Sequence, residues 1–168
     1  MKTNIKKLTF SALLTALAIV IPVVFGGFLR ISIPPFSATL AAHVPMFIAM
    51  LISPEVAIIV GIGSAFGFLI TATPVVAARA LSHAAAGFVG AMLIRRGVSF
   101  KKVIIFTAPV HAILEALIVI PFGFTAYSAL IIVGVGTIIH HCADGIIASV
   151  FAGAIEKALK VDFKKIAA

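Results

Sequence analysis

Residues 124–157 read FTAYSALIIVGVGTIIHHCADGIIASVFAGAIEK, and the way this stretch divides decides the fold. It is apolar over more residues than the about 20 that one helix needs to cross a bilayer. Yet it holds His140, His141 and Asp144, and an ionisable group in a membrane helix is costly enough to mark a functional site. A helix crossing from Ala126 would put the histidines near the bilayer centre. Gly134 and Gly136 weaken helix continuity and offer a later start. The preferred division runs the last span from about Gly136 to Lys157. Residues 121–135 then form an outer loop or lid, and His140 lies one turn below the outer surface.

Composition points the same way. The chain is 62% hydrophobic and only 11% charged, against about a quarter charged for a soluble domain. It is therefore expected to be an all-α integral membrane protein. Its 168 residues suffice for roughly six spans with short connections, so residues 1–168 form a single six-helix membrane domain. The other five apolar segments are Leu8 to Phe28, Ala38 to Leu51, Pro54 to Thr71, Pro74 to Ile94 and Val103 to Ile120. Proline and glycine punctuate the joins at Pro34-Pro35, Pro54, Pro74, Gly97 and Pro121-Phe122-Gly123. The second segment is short, and is expected to be tilted or to start inside the preceding loop. The single cysteine, Cys142, allows no intramolecular disulfide.

The net charge of +8 would suggest nucleic acid in a soluble protein, but here it is a topology signal. With six spans and both termini cytoplasmic, the inner segments hold Lys2, Lys6, Lys7, Arg95, Arg96, Lys101, Lys102, Lys157, Lys160, Lys164 and Lys165, which is 11 of the 13 basic residues. No nucleic-acid partner is expected. Arg30 and Arg79 break the rule. Arg30 falls in the first outer loop, and Arg79 about one and a half turns into the fourth span.

Arg79 shares a helix face with Ser82 and His83, being three and four residues from them. Ala86, Gly87 and Gly90 continue that face as a surface for close helix approach. On the fifth span His111 and Glu115 are four apart; on the sixth, His140 and Asp144 are four apart, while His141 points about 100° away. Span two adds Thr39 and His43. These groups could converge on one outward-opening cavity. Interhelical hydrogen bonds would account for any one of them, but Arg79 stays charged and needs an anionic partner. His141 and Cys142 read as packing residues.

Other chemistries find less support. No Walker A sequence is present, so ATP hydrolysis by that route is excluded. No G-x-S-x-G element marks a serine nucleophile. Gly61, Gly63 and Gly67 lack dinucleotide spacing, and Gly63 and Gly67 form a packing face instead. The helical spacing of His140 with Asp144 and of His111 with Glu115 can bind a metal ion, but no H-E-x-x-H or paired C-x-x-C occurs and a nearby arginine would repel a cation. No metal site is expected. An intramembrane enzyme, a membrane subunit without a ligand and a metal-importing subunit stay open as alternatives.

The basic amino terminus, the six short spans and the motif Ala12-Leu-Leu-Thr-Ala16 together resemble the substrate-binding S component of energy-coupling factor transporters. The resemblance covers essentially the whole chain. The stretches RISIPPFSATLAAHVPMFIAMLISP (Arg30 to Pro54), RALSH (Arg79 to His83) and GTIIHHCADG (Gly136 to Gly145) are most similar to niacin-type members. The resemblance implies a bacterial multi-pass membrane protein with the S-component fold. It implies high-affinity binding of a small water-soluble vitamin, with niacin ahead of pantothenate, hydroxymethylpyrimidine and pyridoxine. Ala12 and Ala16 would meet a transmembrane T component, and two ATPase subunits would supply the energy. The chain itself would be no enzyme and carry no cofactor. The expected ligand residues are Arg79, His83, Glu115, His140, Asp144, His43, Thr39, His111 and, for ring contact, Phe36 or Phe122.

Overall fold

The computed structural model describes residues 2–34, 36–160 and 163; Pro35, Lys164 and Lys165 lie outside them. Helix α1 (Lys2–Val20) continues through a π-helical turn, Ile21–Phe25, that contains Pro22. An antiparallel hairpin follows, β1 (Arg30–Ile33) with β2 (Phe36–Thr39), in which Arg30 faces Thr39 and Ile33 faces Phe36. Then come α2 (Val44–Met50), α3 (Pro54–Thr71), α4 (Pro74–Arg95), α5 (Phe100–Val119) and α6 (Gly136–Leu159). Prolines at the first turns of α2, α3 and α4 sit where a helix has no use for the missing N–H. Ser53 Oγ caps α3 by accepting from Val56 N at 3.3 Å.

Five helical stretches are long and apolar enough to cross a membrane: Ile5–Phe25, Pro54–Thr71, Pro74–Arg95, Phe100–Phe122 and Ser128–Ala158. Their outer faces carry exposed Leu8, Ile62, Ile105, Ile139 and Ile146, as lipid contact requires. The second apolar segment differs from expectation. Residues Phe36–Thr39 pair as a strand, and α2 has only seven residues, roughly 10 Å of helix. Its apolarity serves the protein core, since Met46, Phe47, Ala49 and Met50 are at most 1% exposed.

The sixth segment also differs. Ser128–Val135 is π-helical and runs directly into α6, so only the residues just after the 3-10 turn Ile120–Phe122 connect α5 to it. Residues 121–135 are thus mostly helix rather than a loop. Ala129 and Val133 are fully buried against Ala116 and Val119 of α5, which gives that part of the helix its own reason to persist. Gly136 still marks a change, from π to α geometry. A Cβ there would meet the Phe36 ring at 2.8 Å, so glycine is what lets the hairpin approach.

The glycines of α3 act as the spacing suggested. A Cβ on Gly63 would meet Thr15 of α1 at 2.6 Å, and one on Gly67 would meet Ile19 at 2.9 Å. On α4, Gly87 and Gly90 admit Met46 and Met50 of α2. The tightest approach between two helix backbones is at Gly61, whose Cβ would fall 2.3 Å from the backbone nitrogen of Ala84. Both neighbours are rigid helix backbone, so Gly61→Ala must push α3 from α4. We expect a loss of about 1–3 kcal/mol in detergent unfolding, whereas Ala substitution at Gly153, which has nothing within 4 Å, should be close to neutral.

Candidate functional site

Where the hairpin folds back on the bundle, residues from four helices and β2 enclose a small cavity. Its wall includes Ser37, Thr39, His43, Phe68, Arg79, His83, Glu115 and His140. The free space is about 20 Å³, and one water needs roughly 10–15 Å³. The site is closed to anything as large as an aromatic ring until the hairpin or a side chain moves. A larger groove of about 560 Å³ lies between α5 and α6, lined by Lys101, Ile104, Ile105, Cys142 and Ile146. It is mostly apolar and collects no converging polar groups, so the chemistry belongs to the smaller cavity.

Arg79 is 4% exposed and has found its anion within the chain. Its Nε and Nη2 both donate to Glu115 Oε2, at 3.1 and 2.6 Å, and Thr137 Oγ1 donates to the same oxygen. This ion pair joins α4, α5 and α6. A guanidinium has five N–H donors, and Glu115 takes two of them. The Phe36 ring lies over the guanidinium with its centroid 5.3 Å away, so Phe36 covers Arg79 instead of lining the cavity.

Asp144 is fully buried and ties the end of the hairpin to α6. Its Oδ1 accepts from Ala41 N at 2.7 Å and its Oδ2 from His43 N at 3.0 Å. These bonds hold Ala41 in the left-handed region at φ 69°, a conformation unfavourable for a residue with a Cβ. One helical turn away, His140 Nε2 donates to Thr39 O at 3.0 Å and lies 3.1 Å from Asp144 Oδ2. The hairpin is therefore latched to α6 by one aspartate and one histidine.

All five histidines of the chain gather behind and around the cavity. The ring of His43 stands 4.7 Å from His83, 4.8 Å from His111 and 4.3 Å from His140, centroid to centroid. His83 Nδ1 meets Ser64 Oγ at 2.9 Å. His141, read from sequence as packing, is fully buried but hydrogen-bonded to His111, Thr107 and the Ile104 carbonyl. Ser64, Thr107, Thr137 and His141 were missed by the sequence reading. The signal for two of them was present: Thr137, His141 and Asp144 recur at intervals of four and three, a polar stripe along an otherwise apolar helix.

Of the expected ligand residues, Thr39, His43, Arg79, His83, Glu115 and His140 line the cavity. His111 and Asp144 stand behind it, and Phe36 covers Arg79 from the side. Phe122 is 48% exposed on the 3-10 turn, outside the cavity wall. Arg30 lies on the exposed strand β1 and reaches Ser37 Oγ at 3.3 Å. Ala12 and Ala16 are exposed on the same face of α1.

No protein-family model and no solved structure matches the chain. Among curated proteins, the niacin transporter NiaX of Lactococcus lactis subsp. cremoris (strain MG1363) is 33% identical to it. The alignment covers 96% of this chain and 79% of that transporter. Such identity along nearly the full length, in a chain with five helices long and apolar enough to cross a membrane, makes it a bacterial multi-pass transport protein and not an enzyme. By this relationship the chain belongs to the niacin-type family of energy-coupling factor S components, the substrate-binding subunits of vitamin importers.

Proposed function

We propose that the chain captures nicotinate in the cavity beneath the hairpin and delivers it through a complex with a T component and two ATPase subunits. Both termini then lie in the cytoplasm, and the hairpin faces outward. The observation that carries the reading is Arg79: a buried guanidinium on the cavity wall, with two N–H donors fixed by Glu115 and the others without a partner among the described residues, able to meet a carboxylate. The similarity to a niacin transporter supplies a ligand of that chemistry. His83 and His140 form the wall toward the pyridine side, and Phe68 adds apolar contact. Because the free space is so small, the hairpin swings away to admit a ring in this reading, breaking the His140 and Asp144 latches, and re-forms over the bound vitamin. The exposed face of α1 around Ala12 and Ala16 supports the reading that it meets the T component.

Calorimetric titration of the purified chain in detergent tests this, with nicotinate, nicotinamide, pantothenate and pyridoxine as ligands. Tight binding of nicotinate, weakened at least tenfold by amidation of its carboxylate, is the expected result. Equal affinity for nicotinate and nicotinamide would remove Arg79 from ligand recognition. Silence toward all four from well-folded protein would overturn the vitamin reading.

A further inference from the structure

We propose that His43, His83 and His111 form a binding site for one divalent transition-metal ion of the zinc and cobalt class. One nitrogen from each of these rings lies within 4.8 Å of the others, and all three side chains are at most 3% exposed. Their ring centroids form a nearly equilateral triangle with sides of 4.7, 4.8 and 5.0 Å.

The hydrogen-bond network assigns the protons, and the assignment leaves a gap. His141 Nε2 is 3.1 Å from the Ile104 carbonyl oxygen, which can only accept. It is also 3.0 Å from Thr107 Oγ1, whose own proton goes to Val103 O. Nε2 of His141 therefore carries the ring proton, and its Nδ1 is an acceptor. His111 Nδ1, 3.1 Å away, must donate to that acceptor. A singly protonated His111 then presents a bare lone pair at Nε2. That atom is buried and has no hydrogen-bond partner among the described residues. Facing it at 3.4 Å is Glu115 Oε1, another acceptor. Two buried acceptors turned toward each other are unfavourable unless a cation lies between or beside them. A separation of 3.4 Å is about that of two donors bound to one tetrahedral ion through bonds of roughly 2.0–2.1 Å.

The other two rings are prepared in the same way. Ser64 Oγ engages His83 Nδ1 and leaves Nε2 for the ion, the arrangement by which an outer partner orients a metal-bound imidazole. His43 Nδ1 is a second buried nitrogen with no hydrogen-bond partner among the described residues, although it lies 3.0 Å from Asp144 Oδ2. His43 also belongs to a trio with His140 and Asp144. There, however, His140 is spent on Thr39 O, and Asp144 on two backbone N–H groups. Arg79 would repel a cation if unpaired, but the Glu115 carboxylate offsets its charge. Three imidazoles without thiolate or water-rich oxygen donors favour zinc, cobalt or nickel over magnesium or calcium. Cys142 plays no part, lying in the separate groove between α5 and α6.

The test uses the full chain in detergent, freed of any affinity tag and of metal by chelation, without vitamin. Co2+ is titrated while visible absorption is followed, and Zn2+ is then added as competitor. We expect one Co2+ per chain with the intense bands of a four-coordinate ion, displaced by Zn2+. His83→Asn and His111→Gln should each weaken binding at least tenfold in protein whose circular dichroism is unchanged. Ser64→Ala should weaken it by about 10–100-fold, and His140→Gln should leave it intact. Absence of Co2+ binding by the well-folded parent would overturn the proposal. So would undiminished binding in the doubly substituted His83→Asn, His111→Gln chain, or loss confined to His140→Gln. Because no vitamin is present, the result is independent of the nicotinate reading.

Discussion

Asp144→Ala is expected to lower stability by about 3–5 kcal/mol and to abolish ligand capture, because it removes a fully buried carboxylate whose partners cannot leave. Two backbone N–H groups, those of Ala41 and His43, would be stranded in the protein interior. Each stranded donor costs about 1–3 kcal/mol. Ala41 would also lose what holds it at φ 69°, so the turn between β2 and α2 should relax and move the hairpin off the cavity. Asp144→Asn should be milder: its one carbonyl oxygen can accept from one of the two N–H groups, while its amide faces the other with a donor. Amide hydrogen exchange separates this local effect from general loosening. Exchange at Ala41 and His43 should rise first, with the α3–α4 contact around Gly61 still protected. Unchanged protection at those two amides in Asp144→Ala would mean that something else latches the hairpin.

Much of this architecture was legible in sequence, and the failures share one cause. Segment ends for α3, α4 and α5 followed from proline and from hydropathy, since a lipid-facing helix and an apolar run coincide. Hydropathy cannot tell lipid from protein interior as the destination of an apolar run. Val44–Met50 is apolar because it is wholly buried by its neighbours, and it was read as a span. Ser128–Val135 has both destinations, with Leu130 and Ile131 outward and Ala129 and Val133 inward, and its glycines suggest a loop where the chain is helical.

The site shows the same division. Spacing along one helix placed Arg79 with His83, and His140 with Asp144, on shared faces, and these faces do converge. What spacing could not give was pairing across helices. Arg79 meets Glu115 from α5, and His83 meets Ser64 from α3, where Gly61 lets α3 and α4 approach closely. His141 points away from the His140–Asp144 face, yet its own face meets Thr107 and His111 of α5.

The Arg79–Glu115 pair is where stability and recognition can be pulled apart. Removing either partner leaves the other as an uncompensated buried charge, so Arg79→Ala and Glu115→Ala are each expected to cost about 3–5 kcal/mol in detergent unfolding. Loss of binding in those variants alone would say little about the ligand. The combined Arg79→Met, Glu115→Leu chain restores an apolar contact of similar volume and should return to near parental stability, as buried pairs replaced by hydrophobic groups commonly do. It should nonetheless fail to bind nicotinate, since no guanidinium faces the cavity. Arg79→Lys keeps a charge but gives up the planar fork that can hold Glu115 and a ligand carboxylate together. Its nicotinate affinity should fall by about 10–100-fold, the equivalent of a charge-assisted hydrogen bond or two. Parental nicotinate affinity in the stable Met–Leu chain would make Arg79 a strut between α4 and α5 and pass recognition to the histidines. Loss of binding there, with the fold intact, is what a guanidinium shared between an internal carboxylate and an external one requires.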